Sequence, residues 1–149
     1  MDEKNIPGSF VRALKTLKSG IPPDIKWAVD GSLSLALQGY EVTPEDIDII
    51  TDAEGAYLIE RTFKDKVVEK VKFGRTEKYE SHFGIIEIEG VRIDLMGNLR
   101  VFRGKEWTSV QNPAATEITM IMINDIEIPV VSAKHQEQTG YLEERLRRA

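Results

Sequence analysis

Three aspartates carry the chemistry this sequence could perform. Asp46 and Asp48 stand two apart in E-D-I-D-I-I, with Ile47 and Ile49 alternating between them. In a strand, successive side chains project to opposite faces, so both carboxylates would share one face while the isoleucines point to a core. A pair of hard oxygen donors suits magnesium, which takes oxygens at ~2.0–2.1 Å and is usually held by one or two carboxylates plus substrate phosphates. Alternating Asp and Ile is also how any half-exposed strand reads, so the pair alone does not decide the matter. Asp94 adds weight, because in V-R-I-D-L-M-G it interrupts an apolar strand, where a carboxylate is costly unless partnered. Three carboxylates can hold two magnesium ions ~3.5–4 Å apart, clamping the attacking and leaving oxygens of an in-line phosphoryl displacement.

Gly31 and Ser32 supply a complementary part. A glycine at a strand-to-helix turn lets a phosphate approach the backbone, and the start of the following helix favours negative charge. Ser32 adds a hydroxyl donor, although capping the helix is a sufficient role for it by itself.

These residues need elements to hold them. Phe10, Val11, Leu14 and Leu17 trace one helix face that ends at Gly20 and Pro22–Pro23. Residues 25–30 read as a strand, Gly31–Ser32 as a turn, and 33–38 as a short helix stopped by Gly39. Residues 42–46 have turn chemistry, 47–50 read as a strand, and a helical pattern follows through Tyr57, Leu58 and Phe63. From Val67 the period changes to two, giving strands in V-V-E-K-V-K-F, H-F-G-I-I-E-I-E-G and V-R-I-D-L-M-G. I-T-M-I-M-I-N and I-E-I-P-V-V flank Asn124–Asp125 as a hairpin, though the Met-rich run is also compatible with a buried helical turn. Ser132 is placed to cap a closing helix over 133–149, weakened in its middle by Gly140. The expected architecture is an α/β (α+β) fold: a mixed sheet with helices packed on one face, the three aspartates on the other face near the sheet edge, in one domain spanning 1–149.

The segments D-G-S-L-S-L-A-L-Q-G, T-P-E-D-I-D-I-I and R-I-D-L resemble the hG[GS], [DE]h[DE]h and h[DE]h motifs of the DNA polymerase beta-like nucleotidyltransferase superfamily, in its small stand-alone forms. The resemblance covers about a third of the chain, residues 27–51 and 91–97. It implies that Gly31 and Ser32 hold the β and γ phosphates of a nucleoside triphosphate. Asp46 and Asp48 would then ligate two Mg2+ ions, and Asp94 would complete the catalytic one. The family reaction moves a nucleoside monophosphate to a hydroxyl and releases pyrophosphate. Its acceptors include antibiotics, RNA ends and a tyrosine of a partner toxin. One departure stands out: Asp30 immediately precedes Gly31, where it would repel a triphosphate unless it faces away, for instance by capping the helix. A large helical second domain is also missing, so acceptor recognition falls to the closing helix or a second subunit.

Bulk properties narrow the classes. The 149 residues suffice for a single buried core, and no apolar run nears the ~20 residues that cross a bilayer. The start, M-D-E-K-N-I-P-G-S-F, lacks the basic and apolar regions of a secretory signal, so a cytoplasmic protein is expected. Without cysteine there is neither thiolate nor disulfide chemistry. The net charge of −5 disfavours broad binding to a phosphate backbone. The basic residues Arg12, Lys15 and Lys18 near the start, and Arg145, Arg147 and Arg148 near the end, read first as solvated helix faces, although Tyr141, Arg145 and Arg147 could reach a phosphate. His82 and His135 read as ordinary polar residues, and Trp27 and Trp107 as packing residues. A D-x-D glycosyltransferase would need a larger domain, and a haloacid-dehalogenase-like phosphatase would need Thr or Val where Ile50 stands. The alternative from another class is a non-catalytic, antitoxin-like binding module that keeps the fold and contacts a partner protein.

Overall fold

The apolar periodicities resolve into a mixed sheet with four helices. The computed structural model describes residues 6–108, 116–139, 142, 143 and 146. In chain order the elements are α1 (Gly8–Gly20), β1 (Trp27–Asp30), α2 (Gly31–Leu37), β2 (Ile47–Thr51), α3 (Ala53–Thr62), β3 (Val67–Arg75), β4 (Tyr79–Ile88), β5 (Val91–Arg103), β6 (Glu106–Thr108), β7 (Ile118–Ile123), β8 (Ile126–Val131) and α4 (Ala133–Thr139). The eight strands follow the order β3-β4-β5-β2-β1-β8-β7, with β6 folded onto the far end of β5. β2 runs parallel to β5, and β1 runs parallel to β8. β1 and β2 are antiparallel, as are the remaining adjacent pairs.

The alternation that defines the strands also divides the sheet's two faces. Val29, Ile47, Ile49, Ile93, Leu95, Ile128 and Val130 are fully buried in the main core, where they meet Phe10, Leu14 and Leu17 of α1, Leu33 and Leu35 of α2, and Ala56 and Ile59 of α3. Burying each of these side chains other than that of Ala56 stabilises the fold by ~1.5–3 kcal/mol. Ala28, Ile50, Leu99 and Val131 form a second, smaller cluster joined by Met96. Ala28 and Ile50 alternate with core residues on their own strands, so this second cluster marks the opposite face.

Local signals account for the boundaries. Asp52 caps α3 by accepting a hydrogen bond from Gly55 N at 2.6 Å. Two-residue turns close two hairpins at Glu89–Gly90 and Asn124–Asp125, all four residues having positive φ as the hairpin-favoured turn demands. The Met-rich run is the edge strand β7, paired residue by residue with β8. The closing helix is described as α4, with Ser132 Oγ accepting from His135 N at 3.0 Å. Tyr141, Arg145, Arg147 and Arg148 lie outside the described residues.

Two sequence expectations need correction. Gly97 does not end its strand, because β5 continues to Arg103. A Cβ at Gly97 would come within 2.8 Å of Asp52 O and 2.9 Å of Ala56 Cβ, so the glycine is there to let α3 lie against the strand. The strands carrying the aspartates are also central in the sheet, since β2 and β5 are each paired on both sides. Isoleucine-rich strands such as β2, fully buried on one face, belong in the interior of a sheet. Among the described residues, no helix is long and apolar enough to cross a membrane.

Candidate active site

Asp48 is the second residue of β2, and Asp94 is its direct partner on the parallel strand β5. Neighbouring strands lie ~4.7–4.9 Å apart, so the two side chains rise next to each other. Ile47 and Ile49 flank Asp48, and Ile93 and Leu95 flank Asp94; all four lie in the main core, which puts both carboxylates on the opposite face. Both aspartates are half-buried. Asp46 precedes β2 by one residue and is likewise half-buried.

Gly31 brings the backbone turn to this pair. It follows β1 with φ +69°, a conformation that suits glycine, and a Cβ there would sit 2.2 Å from Asp48 Oδ2. Any larger residue would displace the carboxylate. Ser32 follows in the first turn of α2 and is half-buried. Ser34 Oγ donates to Gly31 O at 2.6 Å and closes the turn.

Two further residues stand at the site, one expected to avoid it and one not foreseen. Asp30, expected to turn away or cap α2, is 2% exposed and makes no side-chain cap bond. Its backbone is in register with Asp48, and alternation on β1 places it on the aspartate face. Asp30, Asp48 and Asp94 therefore form one row across three adjacent strands. Arg92 is the second: its Nε donates to Asp94 Oδ1 at 2.7 Å. That hydrogen bond and the charge of Asp94, with Asp46 and Glu69 adding to them, hold the guanidinium above its ordinary pKa and so firmly charged. The signal for Arg92 was available, since residues two apart on a strand share a face.

The donor set has the right chemistry for a divalent cation: hard carboxylate oxygens beside a glycine whose missing Cβ leaves Asp48 room. Among the described residues, however, no three acidic or histidine side chains converge into a ready-made cation site. Asp94 gives one oxygen, Oδ1, to Arg92, so an ion gathered by Asp46, Asp48 and Asp94 would share that carboxylate with the guanidinium or displace it. His82 takes no part; its Nδ1 lies 3.0 Å from Tyr57 Oη, beside Phe73.

Comparisons with known proteins identify the family and the fold. A Thermotoga maritima protein assigned as a nucleotidyltransferase shares 35% identity, with a TM-score of 0.82 over 96% of this chain and 89% of that one. The lincosamide antibiotic adenylyltransferase LnuA, solved with lincomycin, shares the fold at 15% identity and a TM-score of 0.51, covering 87% of this chain and 82% of its own. ANT(2")-Ia, solved with adenylyl-2"-tobramycin, does so at 12% identity and a TM-score of 0.51, covering 91% and 76%. Among curated protein sequences, none matches. Residues 13–147 match the aminoglycoside-2''-adenylyltransferase family over nearly the whole chain, and the chain belongs to that family of nucleotidyltransferases.

Proposed function

We propose that this protein transfers a nucleoside monophosphate, adenylate in the first instance, from a nucleoside triphosphate to a hydroxyl acceptor. The observation that carries the reading is the direct register of Asp48 with Asp94, with Gly31 pressed against Asp48. Asp46, Asp48 and Asp94 would hold Mg2+, two ions once the nucleotide is bound. The metal supplies charge neutralisation at the triphosphate and lowers the pKa of the attacking hydroxyl. The Gly31–Ser32 backbone and the Ser32 hydroxyl orient the β and γ phosphates. Asp94, released from Arg92, faces the acceptor and takes its proton. The acceptor oxygen bonds to the α phosphorus, the α–β bridging bond breaks, and pyrophosphate leaves with the electron pair.

The acceptor class follows the family: LnuA and ANT(2")-Ia were solved with an antibiotic or its adenylylated product. We propose a small hydroxylated acceptor, bound over the aspartate face by a single nucleotidyltransferase domain in the cytoplasm. The test is mass spectrometry of aminoglycosides, lincosamides, other polyols and protein tyrosines after incubation with each nucleoside triphosphate and Mg2+. A nucleotidyl adduct with pyrophosphate release supports the reading. No adduct, together with no Mg2+-dependent thermal stabilisation by any nucleoside triphosphate, would replace it with the antitoxin-like binding module.

A further inference from the structure

The sequence reading left α4 or a second subunit with the task of meeting an acceptor, but the described part of that helix is tied to the Gly31 turn. Gln136 of α4 and Ser34 of α2 are both fully buried. Gln136 Nε2 donates to Ser34 Oγ at 2.9 Å and lies 3.1 Å from Val131 O. Ser34 Oγ passes the interaction on, donating to Gly31 O at 2.6 Å. A second amide runs beside it, with Gln38 Nε2 donating to Ser34 O and Val131 O, and Gln38 Oε1 accepting from Ala133 N at 2.8 Å. Gln136 and Ser34 sit in a dry interior, where each is costly to leave unmatched, and with the half-buried Gln38 beside them the chain of bonds favours one arrangement of α2 against β8 and α4.

The end of the chain is the sensitive point. Gly31 O is held at the residue whose missing Cβ lets Asp48 approach. Removing the Gln136 amide frees the Ser34 hydroxyl to rotate away from Gly31 O, and the turn then gains freedom beside Asp48. From this juxtaposition we infer that Gln136 is a positioning residue of the nucleotide site. Acting through Ser34, it sets the Gly31–Ser32 backbone relative to Asp48, so that α4 is part of the triphosphate-binding apparatus. The inference rests on the nucleotidyltransferase reading above.

The test is a double-mutant cycle on the full chain, reading the dissociation constant of ATP with Mg2+ by calorimetry and, separately, stability in urea. Gln136→Leu and Ser34→Ala are each expected to weaken nucleotide binding about fivefold, the worth of one net hydrogen bond. The double variant should be little weaker than either single variant, because both break the same chain. Ile86→Val, which removes a methylene from a fully buried position on β4, controls for lost stability alone and should leave the dissociation constant unchanged. Parent-like nucleotide binding by folded Gln136→Leu, or by Ser34→Ala if the former does not fold, overturns the inference while leaving the proposed function intact. Equal weakening in Ile86→Val also overturns it, since any destabilisation would then suffice. A parent that binds no nucleotide overturns both.

Discussion

Glu80 and Asp94 are both acids set into the same long antiparallel ladder, β4 against β5, and they have opposite characters. The Glu80 side chain is 3% exposed, with Arg75 Nε on Oε2 at 2.6 Å and Arg100 Nη1 on Oε1 at 2.8 Å. Arg75 in turn lies over the Trp107 ring at 5.1 Å. Both oxygens are matched by guanidinium donors in a closed cluster, which is what a buried carboxylate needs to be tolerated. Asp94 is 16% exposed, meets Arg92 at one oxygen, and stands in a row with two more aspartates. Burial of an acid therefore does not by itself mark chemistry. A fully countered carboxylate holds structure together, whereas a row of aspartates on one face is the arrangement that the proposed metal-dependent transfer would draw on.

The largest effect that would sharpen this contrast is expected at Asp48. Asp48→Asn should lower nucleotidyl transfer by about 10^2–10^3-fold or more, the scale on which loss of one transition-state contact is felt, as read by pyrophosphate release. Without added metal its stability in urea should equal or exceed the parent's, because one of three aligned charges is gone. Full activity in Asp48→Asn would show the aspartate row to be a surface pattern. Gly31→Ala comes next. The new Cβ would meet Asp48 Oδ2 at 2.2 Å in a backbone conformation of φ +69°, so about 1–3 kcal/mol of stability should be lost along with transfer activity. Normal stability and transfer in that variant would remove the argument for a cradle.

Much of this was legible in the sequence, and the gaps have physical causes. Asp46, Asp48, Asp94, Gly31 and Ser32 could be singled out because period-two alternation and a strand–turn–helix signature are local properties. The hairpin turn at Asn124–Asp125 was legible for the same reason. The pairing of β2 with β5 was not, because register between strands more than forty residues apart is set by packing. Asp30 looked like a misfit only because its alignment with Asp48 arises across β1 and β2. Gly97 read as a terminator because one sequence shows a glycine but not the helix that presses against it. The bonds of Gln136 to Ser34, 102 positions away, left no trace in either segment alone.

Two smaller effects would separate the structural acid from the one proposed to act in transfer. Glu80→Ala should cost about 1–3 kcal/mol of stability, since it strips a buried partner from two arginines that can still reach water. Transfer activity at saturating nucleotide should stay unchanged, because the cluster lies beyond the bulge at Asn98, toward the far end of β5 from Asp94. Lost activity in a folded Glu80→Ala protein would break the comparison.

Arg92→Ala is the most delicate test, because here the sign of the change carries the information. Arg92 is half exposed, and its bond to Asp94 is an ion pair open to water, worth about 0.2–1 kcal/mol. A cation that binds Asp94 must overcome the repulsion of that guanidinium, so the arginine opposes the metal. Removing it should tighten Mn2+ or Mg2+ binding by about 1.5- to fivefold, the same free energy expressed as a ratio. The difference should shrink as ionic strength rises, since exposed charges are screened within ~10 Å at 0.1 M salt. The equivalent change at the closed cluster, Arg100→Ala, should leave metal affinity where it was. Weaker metal binding in Arg92→Ala would mean that the arginine orients Asp94 for the cation, and Asp94 would then belong with Glu80 among the acids that need their arginine.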